Sequence, residues 1–143
     1  MKNTIILLTM LLFSGIGFAQ ESNNGKQLWA KSFLNEKAPE LTVETWISKK
    51  PDTEGKFVII DFWATWCGPC RKAIPELNEI AKEFSKDVVV IGISDEPVEK
   101  IKAMKEPVIE YYYGVDTKKT MDKILEIKGI PHVIIIDPKG IVR

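Results

Sequence analysis

From Phe57 onward the apolar positions run almost without a break, Phe57-Val58-Ile59-Ile60 and then Phe62. Such a run belongs to a sheet strand covered on both faces, and it predicts a buried strand over 57–63. Beyond Cys70 the period changes. Ala73, Ile74, Leu77, Ile80, Ala81 and Phe84 recur at three- and four-residue steps, with Arg71, Lys72, Glu76, Glu79, Lys82 and Glu83 between them. This is the stripe of an amphipathic helix, and Pro75 inside it removes a backbone donor and predicts a bend. Val88 to Ile93 predicts a second buried strand, and Asp95-Glu96-Pro97 opens a helix over 98–105, since acidic residues and proline suit a helix N-terminus. A further helix is expected over 117–128, capped by Asp116 or Thr117, packed through Met121, Ile124, Leu125 and Ile127, and ended by Gly129. Val133 to Ile136 then reads as a strand, 137–140 as a tight turn and 141–143 as the start of an antiparallel partner. Upstream, Leu41 to Ile47 is β-rich and 48–56 is a polar turn. The order β-α-β-α-α-β-β predicts the α/β class, a central mixed sheet flanked by helices.

The start of the chain follows a different pattern. Lys2, the apolar stretch Ile5 to Phe13 and the small residues of Gly17-Phe18-Ala19 read as a signal peptide over 1–19. Export to the periplasm or the exterior of the cell envelope is therefore expected, with membrane attachment only if the leader stays on. Residues 20–36, with Asn23-Asn24-Gly25, read as a flexible polar arm, leaving 37–143 as one domain. A chain of 143 residues, 45% hydrophobic and 28% charged, suits a single core. Removing the leader takes Lys2 with it and leaves 19 basic against 20 acidic side chains, a net charge of −1. No basic run exceeds two residues, so nucleic acid and anionic lipid are not expected partners. Proteins and small thiols remain.

The chemistry concentrates in Trp66-Cys67-Gly68-Pro69-Cys70, which holds the chain's two cysteines where the buried strand hands over to the helix. A thiol at a helix N-terminus faces unpaired backbone N–H groups and the positive end of the helix dipole, which favour thiolate. Cys67 is thereby the expected nucleophile and Cys70 the resolving thiol. A structural disulfide gains most by closing a long loop, and this pair closes a very short one. Zinc wants four ligands, and His132 is the single histidine available to join the pair. A Cu(I)-binding protein using Cys67, Cys70 and His132 stays open as a different class. Asp61 stands inside the apolar strand, where burial raises the pKa of an acid and lets it exchange protons near neutral pH. Trp63 and Trp66 flank the pair, Trp63 as packing. His132 is expected to serve its strand rather than the chemistry, and Tyr111-Tyr112-Tyr113 to pack core and loop ahead of a helix.

Val58 to Pro75, with its strand, cysteine pair and helix proline, resembles the active-site segment of thioredoxins. The lead-in Ala38-Pro39-Glu40-Leu41, the longer middle segment, Gly129-Ile130-Pro131 and Asp137-Pro138-Lys139-Gly140 are similar to exported thiol-disulfide oxidoreductases of the TlpA/ResA type. The resemblance covers about Lys37 to Arg143. It implies a thioredoxin-like fold, with a cis proline at Pro131 beside the cysteines and Ile130 offering its backbone to an extended client. Trp66, Gly68 and Pro69 would complete the client-binding surface. Thioredoxins carry an aspartate matching Asp61, where TlpA/ResA proteins often have asparagine, so Asp61 is expected to take the proton of Cys70, through water. The resemblance also implies a C-terminal helix beyond Ile141-Val142 covering one sheet face; the sequence reaches only Arg143, so either it is a shortened form or a partner is expected to cover that face.

The expected activity is a dithiol-disulfide cycle with no cofactor and no metal. Gly68-Pro69 resembles the dipeptide of reducing thioredoxins, which favours a reductant of disulfides in exported proteins, supplied by a membrane-borne electron donor. An oxidase or isomerase using the same site is the alternative. A peroxiredoxin-like peroxidase needs threonine or serine three residues before the reactive cysteine, and that position is Ala64.

Overall fold

The computed structural model describes residues 28–143. The signal peptide expected over 1–19 and the first residues of the expected arm, 20–27, lie outside the described residues. Strand β1 (Thr45–Trp46) is followed by β2 (Phe57–Phe62), α1 (Gly68–Glu83), β3 (Val88–Ser94), α2 (Val98–Ala103), β4 (Tyr112–Val115), α3 (Thr120–Leu125) and β5 (His132–Ile136). The five strands form one mixed sheet in the order β1-β4-β3-β2-β5. β2, β3 and β4 run parallel, and β1 and β5 pair antiparallel at the two ends.

The unbroken apolar runs of β2 and β3 are explained by this placement. Both strands are interior and lose water from both faces. Alternation then sorts their side chains. Val58, Ile60 and Phe62 of β2 join Val89, Ile91 and Ile93 of β3 in one cluster, closed by Met121 and Leu125 of α3. On the opposite face Trp63, Cys67, Cys70, Ile74, Leu77 and Val90 pack together, joined by Ile101 of α2. Helices α1 and α2 thus cover one face and α3 the other. Among the described residues no helix is long and apolar enough to cross a membrane.

Four expectations need correction. The tyrosine run leads into a strand rather than straight into a helix: Tyr112–Val115 pairs with β3 and β1, an element absent from the predicted order. Its alternation is blurred because Gly114 sits where a Cβ would come within 2.7 Å of the Thr45 backbone oxygen. The helix expected over 117–128 spans Thr120–Leu125, with Lys119 and Glu126 in left-handed conformation at its ends. Asp116 does not occupy the cap position, yet its Oδ2 accepts from Met121 N–H at 2.7 Å. Residues 28–36, read as arm, are tied to the domain: Lys31 N–H donates to Leu125 O, Lys128 N–H to Trp29 O and Asn35 N–H to Val142 O. Finally, 141–143 contributes isolated bridges, Lys37 to Ile141 and Ile136 to Val142, rather than a regular strand. Val133 and Ile135 on the α1 side of β5 are exposed.

Leu125 is fully buried and holds α3 and the 28–36 segment to the sheet. Leu125→Ala is expected to cost about 2–5 kcal/mol of stability, read from urea unfolding, with the cysteine pair on the opposite sheet face unchanged.

Candidate active site

The site is built at the junction of β2 and α1. Cys67 is the N-cap of α1, in extended conformation, and Gly68 and Pro69 form its exposed first positions. This makes Cys67 the acceptor of an otherwise unpaired helix donor: Cys70 N–H donates to Cys67 Sγ at 3.2 Å. The same contact that satisfies the helix end stabilises negative charge on that sulfur when the pair is reduced. Cys67 and Cys70 are joined as a disulfide with Cα atoms 5.3 Å apart. Cys67 keeps 3% of its surface exposed and Cys70 none, so of the two only Cys67 retains contact with solvent.

The junction itself is pinned by a residue that sequence reasoning treated only as a helix opener. Glu96 is buried, and its carboxylate accepts from Thr65 N–H at 2.5 Å and from Thr65 Oγ1 at 2.9 Å, while Lys100 Nζ lies at 2.6 Å. Burial opposes the charge of Glu96, but Lys100 and Thr65 more than offset it and hold its pKa below the usual carboxylate range. Thr65 stands two residues before Cys67, so this carboxylate fixes the approach to the helix. Local sequence carries no signal for it, because the partners lie on a different loop.

Asp61 has the opposite surroundings. It is 1% exposed on the α1 side of β2, facing Gly92 across the β2–β3 ladder. Burial lifts its pKa to about 6, with Tyr111 acting in the reverse direction. Trp63 is buried in the cluster that holds both cysteines, whereas Trp66 is 67% exposed. Trp66 and Ile130 line one cavity of about 200 Å³, together with Phe62, Trp63, Asp95 and Lys119. The Ile130–Pro131 peptide bond is cis, and Pro131 is exposed. His132 goes elsewhere: it packs on Phe62, with ring centroids 6.0 Å apart, on the α3 side of the sheet. The geometry therefore does not bring His132 to the cysteine pair.

A parallel-centred sheet, a helix that begins at a bonded cysteine pair and a buried acid on the strand before it define a thioredoxin-fold thiol-disulfide oxidoreductase. The sequence matches the AhpC/TSA family over residues 34–143, and the chain belongs to that family. The thiol:disulfide interchange protein DsbE of Pseudomonas aeruginosa is 29% identical over 154 residues, covering all of this chain and 83% of DsbE. The thiol-disulfide oxidoreductase ResA of Bacillus subtilis is 26% identical over 109 residues, covering 72% of this chain and 61% of ResA. Among solved structures, a proposed protein disulfide isomerase from Bacteroides thetaiotaomicron superposes with a TM-score of 0.71 at 30% identity. It covers 82% of this chain and 80% of that one. The thioredoxin domain of a Bacteroides vulgatus thiol-disulfide oxidoreductase gives 0.65 at 28% identity, with coverage of 76% and 84%.

Two predictions follow from the two carboxylates. Asp61 binds its proton more tightly folded than unfolded, so the folded state loses stability as pH rises from about 4 to about 6. Asp61→Asn should therefore stabilise the oxidised protein above pH 6, by up to about 3 kcal/mol, with no gain below pH 4 in denaturant titrations. Glu96 behaves oppositely. Its lowered pKa contributes stability at neutral pH that is lost as pH falls through the acid range. Glu96→Ala should cost about 1–3 kcal/mol at pH 7, and the difference from wild type should shrink toward pH 3.

Proposed function

We propose that this protein reduces disulfides in exported proteins, outside the cytoplasm, through a Cys67/Cys70 dithiol-disulfide cycle. The observation that carries the reading is the bonded pair at the N-terminus of α1, with Cys70 N–H directed at Cys67 Sγ. In the reduced protein the Cys67 thiolate attacks one sulfur of a client disulfide. The client S–S bond breaks, a mixed disulfide forms, and the other client sulfur leaves as thiolate. Cys70 then loses its proton to Asp61, through water, and attacks Cys67 Sγ. The mixed disulfide breaks, Cys67–Cys70 forms, and the second client sulfur departs; two electrons have passed to the client. Burial of Cys70 fits this order, since it is shielded from every sulfur except that of Cys67.

The client would lie as an extended segment across Trp66, Gly68-Pro69 and the Ile130-Pro131 edge. The shared cavity of Trp66 and Ile130 supports that path. Export is supported by Lys2, the apolar stretch from Ile5 to Phe13 and Gly17-Phe18-Ala19. An oxidising compartment does not regenerate a dithiol, so a membrane-borne donor would return the two electrons. An oxidase or isomerase on the same site is the second reading, favoured by the likeness to the proposed disulfide isomerase.

The midpoint potential of the Cys67/Cys70 couple separates the readings. A value near about −270 mV is expected for the reductant; one near about −120 mV would make the protein an oxidant. Cys67→Ser should abolish exchange, and Cys70→Ser should accumulate the mixed disulfide with a client peptide. In the wild type, resolution should rise with pH through about 6, because Asp61 accepts a proton only when ionised. Asp61→Asn should slow it at pH 7–8 by about 10²-fold and flatten that rise; an unchanged profile removes Asp61 from the mechanism.

A further inference from the structure

Buried polar atoms in folded proteins almost always find hydrogen-bond partners, so the exceptions point to something. Four side-chain atoms among the described residues are buried without one: Asp61 Oδ2, Trp63 Nε1, Tyr111 OH and Asp116 Oδ1. Asp61, Trp63 and Tyr111 stand on the same sheet face as the cysteine pair. Trp63 and Tyr111 belong to the cluster that contains Cys67 and Cys70. Gly92 pairs with Asp61 in the ladder and supplies their common space. A Cβ on Gly92 would come within 3.0 Å of Tyr111 Cε2 and 3.0 Å of Trp63 Nε1. Glycine in the middle of an interior strand weakens it, and is expected where another group must approach the backbone closely. Here that group is the Tyr111 ring, carried in from the residue before β4.

We infer that Tyr111 is a positioning residue of the redox site: admitted over Gly92, its hydroxyl donates a hydrogen bond to the Asp61 carboxylate whenever that acid is ionised. The chemistry of the three atoms is complementary, two donors and one acceptor. A phenol O–H donates more strongly to an ionised carboxylate than to a protonated one, and so favours the charged form. The mutual shifts agree in direction. Tyr111 lowers Asp61 against the larger effect of burial, while burial first, then the charge of Asp61, drives Tyr111 above its ordinary range. No other charged group acts on Asp61 among the described residues. Its ladder neighbours are Gly92 from β3 and Val133 from β5. α1 contributes Cys67 and Cys70, which titrate only when reduced. A buried cation, which would ionise the acid outright, is replaced by a neutral donor that leaves it able to exchange its proton near pH 6.

The consequence for client resolution rests on Asp61 as proton acceptor, but the assignment of Tyr111 does not. The test is the titration of the Asp61 carboxyl carbon by NMR in the oxidised protein, without client. Tyr111→Phe keeps the ring in the core and removes only the hydroxyl; the Asp61 midpoint should rise by about one unit with the melting temperature little changed. Gly92→Ala, which displaces the ring with its hydroxyl intact, should move the midpoint in the same direction. A Tyr111→Phe midpoint that stays or falls overturns the inference. If the midpoint rises, resolution at pH 5–6 should slow about tenfold in Tyr111→Phe and not at all when the same change is made in Asp61→Asn. A raised midpoint with an unaltered resolution rate would uphold Tyr111 and instead sink the proton-acceptor role of Asp61.

Discussion

Strand β2 is hydrogen-bonded on both sides, to β3 in parallel and to β5 in antiparallel register, and that double pairing fixes which way each of its side chains points. Val58, Ile60 and Phe62 must face α3, and Asp61 and Trp63 must face α1. A slip of one residue would exchange the two sets, putting a carboxylate into the α3 cluster and Phe62 beneath the disulfide. Both faces are buried, so no slipped register is tolerable. The position of the cysteines depends on this, because Cys67 is delivered to the head of α1 by the short link that leaves β2 at Phe62. Glu96 fixes that link from β3's side through Thr65.

Two buried carboxylates of the site, Asp61 and Glu96, are thus handled in opposite ways. Glu96 is saturated with donors, an N–H, a hydroxyl and an ammonium group, and its charge is structural. Asp61 has no cation, and its environment leaves it near the point of protonation. A lysine paired with Asp61 would instead hold the acid ionised and make it a weaker base. A buried acid without a cation is costly, and a carboxylate perturbed in this way is a candidate for proton exchange.

The parts of this arrangement that sequence made legible are those written in local periodicity. The run from Phe57, the stripe from Ala73 to Phe84 and the cysteine spacing each sit within one element, so pattern and structure agree. What stayed illegible is set by contacts between distant segments. β4 carries two tyrosines and a glycine whose spacing answers to the close approach of β1, its antiparallel neighbour, and of the segment leading into it, not to a solvent face. The last helix stops at Leu125 rather than at Gly129, where Lys31 N–H donates to Leu125 O, and Trp29 O accepts from Lys128 N–H just beyond it. Glu96 looked like an ordinary helix opener because its partner, Thr65, is on another loop. Tyr111 looked like packing because its relation to Asp61 runs across Gly92, and a strand glycine says only that something comes close.

The same geometry argues against giving His132 a share in the chemistry. Being adjacent in sequence to Pro131 places it at the first position of β5, opposite Phe62, and alternation turns it to the α3 side. Burial there lowers its pKa, with Asp122 pulling upward, so the ring is held toward its neutral form among apolar neighbours. A Cu(I) site built from Cys67, Cys70 and His132 would need the ring to cross the sheet, which the β2–β5 ladder forbids. Among the described residues no group of three or more histidine, cysteine or acidic side chains is arranged to hold a metal ion, and a dithiol in which Cys67 alone keeps a trace of exposed surface suits exchange.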